Sequence, residues 1–138
     1  MTIMTTSTQK TAKTQDTMIA GSAISAAEYF RTKLQFETTP HDLKRDMESG
    51  KVVLLDVRDE QAYKTERIPG AKNVPLAHLE RHLAELPKNK TLVTYCWNIT
   101  CAASTKAALI LAEKGYQVQE LVGGIGEWKT KFPTENSK

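Results

Sequence analysis

The chain has 138 residues, 40% of them hydrophobic and 25% charged, which is material for one globular core and not for two full domains. Its 19 basic and 16 acidic residues give a net charge of +3 and are spread without a basic stripe, which argues against a nucleic-acid partner. The apolar run AALILA at 107–112 is far too short to cross a bilayer, and residues 1–18 lack the apolar centre of a signal peptide, so the expected compartment is the cytoplasm, with no membrane partner.

Residues 1–20 are rich in threonine, lysine and glutamine, show no apolar period, and are expected to form a flexible tail ahead of one domain over 21–134. Ser25 and Glu28 have the spacing of a capping box and predict an extra N-terminal helix over about 25–35, with Tyr29, Phe30 and Leu34 as its sticky side. A second box, Thr39 to Asp42, adds Pro40 at the first helical position, and Gly50 ends that helix. The unbroken apolar run VVLLDV at 52–57 predicts a strand buried on both faces. Further strands are expected near 71–74, 92–95 and 118–122, with helices near 60–65, 76–85, 102–114 and 124–131. Strands alternating with helices imply an α/β fold of three layers, a parallel sheet with helices on both faces and ligands outside the carboxyl ends of the strands.

Both cysteines fall at that rim, in Cys96-Trp97-Asn98-Ile99-Thr100-Cys101-Ala102, between the strand at 92–95 and the helix that follows. A loop curling into a helix N-terminus turns backbone N–H groups inward and favours an anion, whether a thiolate or a bound oxyanion. Cys96 therefore reads either as a nucleophile with a depressed pKa or as a small buried hydrophobe at a strand end. Two cysteines are no disulfide framework, and His41, His78 and His82 are the other residues from which metal ligands could come. The last two sit four apart, where an exposed helix face is the expected reading, so neither a metal nor a cofactor is assigned. Asn98 is expected to let the loop take unusual backbone angles, Trp97 to cover the pocket or receive a partner, and Ser104 and Thr105 to cap the helix or donate to an anion.

The ordered segments VVLLDVRDEQAY (52–63), ERIPGAKNVPL (66–76), TYC (94–96) and KAALILAEKGYQVQELVGGIGEW (106–128) resemble the rhodanese family of sulfurtransferases. The likeness runs from about residue 38 to 132. It implies a compact α/β domain with a central parallel sheet of about five strands, and it implies that Cys96 takes sulfane sulfur from a small donor as a persulfide and passes it to a thiol or protein acceptor. Asp56 and Arg58, which match the family's pattern at the end of the buried strand, are expected to be paired scaffolding that braces neighbouring loops. Gly123 and Gly124 are expected to turn the chain close to the cysteine loop, and Trp128 to anchor the core.

The loop CWNITC departs from the family's common Cys-x-x-Gly-x-Arg-Ser: it has no glycine and no basic residue, it is longer, and Cys101 stands where the arginine would be. A dianionic donor such as thiosulfate would have to rely on backbone amides and on Lys106, so weak turnover is expected. Arg67 replaces a histidine of the pattern, with exposure to solvent expected and a charge facing the site as the alternative. A phosphatase on a related fold needs an arginine at position 102, which is alanine. Two further readings remain open: a dithiol redox protein using Cys96 and Cys101, and an idle binding module on the same fold.

Overall fold

The computed structural model describes residues 23–137. The expected tail over 1–20 lies outside them. The chain divides into two compact units with the boundary after Thr32, inside the first helix.

Helix α1 (Ala26–Phe36) opens as its sequence demands: the Glu28 N–H donates to Ser25 Oγ and the Ser25 N–H to Glu28 Oε1, both at 3.0 Å. None of its side chains is buried. Strand β1 (Glu37–Thr38) follows, then α2 (Pro40–Glu48), with Thr39 as its N-cap and Pro40 at its start. Gly50, at φ +73°, takes the left-handed turn that leads into β2 (Val52–Asp56). Then come α3 (Glu60–Thr65), β3 (Lys72–Asn73), a 3-10 helix (Leu76–Glu85), β4 (Thr91–Tyr95), α4 (Ala103–Glu113), β5 (Val118–Leu121) and α5 (Gly124–Trp128).

The sheet has five strands, all parallel, in the order β1-β5-β4-β2-β3. Alternation along the central strands splits the apolar side chains between two cores. Leu55, Val57, Leu92 and Cys96 face one, against Ala107 and Leu111 of α4. Leu54, Val93, Tyr95 and Leu121 face the other, against Leu43 of α2 and Ile125 and Trp128 of α5. The expected three-layer α/β architecture is therefore present. Among the described residues no helix is long and apolar enough to cross a membrane.

Three elements differ from expectation. Residues 76–85 form a 3-10 and not an α-helix, and they carry no side-chain cap at Pro75. The helix expected over 124–131 stops at Trp128, after which the chain turns so that the Trp128 indole N–H reaches the Pro133 carbonyl at 3.0 Å. Strand β1 was not expected, because Glu37 and Thr38 carry no apolar run; it forms by pairing with Glu120 and Leu121 of β5.

Candidate active site

The register of β2 on β4 places Asp56 beside Tyr95, and the chain leaves β4 one residue later at Cys96. Asp56 is fully buried, and its carboxylate accepts from Arg58 Nε at 3.0 Å, Arg58 Nη2 at 2.7 Å and the Tyr95 hydroxyl at 2.6 Å. The Tyr95 oxygen in turn accepts from the Ile68 N–H at 3.2 Å. Burial first, then the charge of Asp56, pushes the Tyr95 phenol far up, so it stays a donor. Burial works against the Arg58 charge, but the hydrogen bonds and attraction of Asp56 outweigh it and the guanidinium pKa is raised. Arg58 also donates to the Glu66 carbonyl, and Asn73 ties its amide to the carbonyls of Asp56 and Arg58 at 3.1 and 3.0 Å. The expected bracing role of Asp56 and Arg58 fits this network. Arg58 Nη1 is buried without an acceptor among the described residues, and the Trp97 ring lying 4.4 Å from the guanidinium carbon supplies a cation–π face instead. Trp97, half-exposed, thus joins the loop to the scaffold beneath it.

The loop is closed on itself. A disulfide joins Cys96 to Cys101, with the Cα atoms 6.4 Å apart. The Cys101 N–H donates to the Asn98 carbonyl at 3.1 Å, and Asn98 Oδ1 accepts from the Thr100 N–H at 3.0 Å and the Thr100 hydroxyl at 2.7 Å. Asn98 therefore serves the loop through its side chain, as an Asx turn. Ile99 is 78% exposed at the tip, and Ala102, also exposed, is the N-cap residue of α4 without a side-chain cap, leaving that helix's first amides uncapped.

Cys96 itself does not stand open at the rim. It is 3% exposed and packs in the aliphatic core of β2, β4 and α4, because it continues the alternation that sends Leu92 inward. In this state no thiolate exists to be held by amides, and the expected cradle of inward N–H groups is replaced by a turn that spends two of them on Asn98.

The loop is pinned from the other side by α5. Ile125 and Gly126 donate their N–H groups to the carbonyls of Cys96 and Trp97 at 3.0 and 2.9 Å. Gly124 sits at φ +59°, where a Cβ would fall 2.4 Å from the Cys96 oxygen. Only glycine permits this approach. The expected closeness of Gly123-Gly124 to the cysteine loop thus holds at Gly124. Gly126, whose own Cβ would meet the Trp97 oxygen at 3.1 Å, was missed; the glycine spacing of GGIG was its signal.

Two hollows flank the turn. One, of about 460 Å³ and mostly apolar, lies between Thr39, Pro40 and His41 on one side and Ile99, Val122 and Gly126 on the other. The second, of about 230 Å³, is polar and is lined by Cys101, Ser104, Thr105 and Glu120, with Glu37 and Lys33 at its edge. Ser104 and Thr105 do not cap α4, and their hydroxyls are spent on an internal carboxylate and not left for a bound anion: both donate to Glu120 Oε2 at 2.6 Å. Glu120 was not anticipated, since a lone acid inside a short strand gives no local signal. Lys106 is exposed on α4 and lines neither hollow, so the charge expected from it is not delivered there. Arg67 is neither solvent-exposed nor turned to the site: its guanidinium bonds Glu135, the Tyr63 carbonyl and Ser137, fastening the C-terminal segment. His82 bonds Glu85 at 3.2 Å.

The family model for the rhodanese-like domain matches residues 39–131. An HTH-type transcriptional regulator of Mycobacterium tuberculosis is 35% identical over 114 residues, 83% of this chain, which spans only 50% of that protein's length. Thiosulfate sulfurtransferase GlpE of Coxiella burnetii is 32% identical over 87 residues, covering 62% of this chain and 79% of that one. Among solved structures, a protein from Bacillus halodurans superposes with a TM-score of 0.75 at 38% identity, covering 80% of this chain and 84% of the other. The matched segment starts at the cap of α2, contains every strand except the two-residue β1 and runs past α5, and on that ground this chain belongs to the rhodanese-like domain family.

Proposed function

We propose that the protein is a sulfurtransferase in which Cys96, once its bond to Cys101 is reduced, carries sulfane sulfur as a persulfide. The observation that carries this reading is the position of Cys96: it directly follows the central strand β4, heads the loop that runs into the uncapped start of α4, and has its carbonyl gripped by the Gly124 turn. The Cys96 thiolate attacks the outer sulfur of the donor; with thiosulfate the donor's S–S bond breaks and sulfite departs with the electron pair. The Cys96 persulfide then yields its terminal sulfur to a thiophilic acceptor, which restores the thiolate. Loop amides and the dipole of α4 are the groups that would hold a donor's negative charge, since no arginine stands in residues 96–105. Turnover of small dianionic donors is accordingly weak.

The test is thiocyanate formation from thiosulfate or mercaptopyruvate plus cyanide, with the protein reduced beforehand and Cys96→Ser alongside. Activity confined to the wild type supports the proposal; equal background in both proteins removes it. The disulfide favours a second reading, thiol–disulfide exchange as the protein's own activity, with the two cysteines as its redox pair. That reading requires the reduced protein to reduce a substrate disulfide catalytically without any sulfur donor.

A further inference from the structure

In the closed loop the two sulfurs differ in access. Cys96 is buried among Leu55, Val57 and Leu92, whereas Cys101 is only half-buried and lines the polar hollow of about 230 Å³. A thiolate must approach a disulfide along the extension of its S–S axis, so the sulfur attacked is the one whose far side is open. Cys96 as a residue is 3% exposed and packed in the core, whereas Cys101 lines the hollow through which solvent reaches it. The hollow also has a charge. Glu37 is answered by Lys33 at 2.9 Å, but Glu120 accepts only the hydroxyls of Ser104 and Thr105 and forms no ion pair among the described residues.

We propose that the loop disulfide is opened by a small cationic or neutral thiol that enters beside Glu120 and attacks Cys101 Sγ. The incoming thiolate bonds Cys101, the Cys96–Cys101 bond breaks, and Cys96 leaves as the thiolate. A second thiolate then attacks the small-molecule sulfur of the mixed disulfide, so that Cys101 leaves as a thiolate and the two small thiols depart joined as a disulfide that carries away the two-electron oxidation. Cys101 is thereby the residue through which external thiols reach a nucleophile they cannot touch. This step goes beyond sulfur transfer and stands whether or not Cys96 ever carries a persulfide.

The experiment treats the oxidised full chain with cysteamine, quenches with acid within the first turnover, alkylates the remaining thiol under denaturing conditions and sequences the tryptic peptide 91–106 by fragmentation, because both cysteines lie in it. The expected product carries cysteamine on Cys101 and the alkyl group on Cys96. The reverse assignment, or failure of the thiol to open the bond, overturns the proposal. A second arm compares cysteamine with 3-mercaptopropionate at equal thiolate concentration and low salt: cysteamine is expected to be faster by about threefold or more, with the advantage reduced in Glu120→Gln, which keeps an acceptor for both hydroxyls. Equal rates in the wild type overturn the role of Glu120. Thiocyanate formation by Cys101→Ser, which cannot form the disulfide, reads sulfur transfer separately, so loss of one proposal is not mistaken for loss of the other.

Discussion

Replacing Gly124 with alanine tests whether α5 holds the cysteine loop in place, and Gly50 supplies the control. Both glycines have φ in the left-handed region, at +59° and +73°, but a Cβ at Gly50 meets nothing within 4 Å, whereas one at Gly124 would lie 2.4 Å from the Cys96 oxygen and 3.0 Å from the Trp97 carbonyl carbon. Gly50→Ala therefore carries only the left-handed penalty, about 1–2 kcal/mol. Gly124→Ala carries the same penalty and must also push the loop backbone away, breaking the two hydrogen bonds from Ile125 and Gly126 at about 0.5–1.5 kcal/mol each. The expected separation between the variants is about 1–3 kcal/mol, or about 4–12 °C in Tm for a domain of this size. Urea and thermal unfolding, with the disulfide intact in all three proteins, measure it. A Gly124→Ala protein no less stable than Gly50→Ala would refute the pinning of the loop by α5.

Tyr95→Phe removes a buried hydroxyl that serves both Asp56 and the Ile68 N–H, and is expected to cost about 1–3 kcal/mol in urea unfolding. The raised phenol pKa also fixes a sign: its contribution is whole below the ordinary value of 10 and declines above it as the unfolded chain ionises first, so wild-type stability falls more steeply above pH 10 than that of Tyr95→Phe. Arg58→Lys keeps the charge but loses the two-pronged grip on Asp56 and the face of Trp97; a loss of at least about 2 kcal/mol and a changed Trp97 emission are expected, and an unchanged spectrum would contradict the stacking. Hydrogen bonding from Thr134, then from Lys129, holds the Glu66 carboxyl below its ordinary range, so its contribution is present above about 4.5 and disappears as pH falls through the lowered value. The acid limb of stability against pH should be flatter in Glu66→Gln.

Local signals carried most of the scaffold. The boxes at Ser25 and Thr39, the buried run of β2 and the helix–strand alternation each depend on neighbours in sequence, and each element forms near its expected place. What could not be read depends on distant partners. β1 exists because β5 lies beside it, Glu120 matters because α4 brings two hydroxyls to it, and Arg67 is claimed by residues 68 and 70 positions away. Cys96 shows the division within one residue. Its place at the end of β4 follows from the pattern, but its burial follows from strand alternation carried one step past the strand, and its bond to Cys101 from a loop long enough to fold back. The spacing of five made such a bond possible without requiring it.

The turn at Asn98 and Ile99 borders both hollows at once, as do Val122 and Gly123. It acts as a party wall: any displacement of those two residues enlarges one chamber at the expense of the other or merges them. Because one end of the wall is fastened by sulfur and its base by the Gly124 corner, the sulfur end is where a reversible chemical change can shift it. Opening the Cys96–Cys101 bond would remove the covalent fastening of the wall between the two hollows.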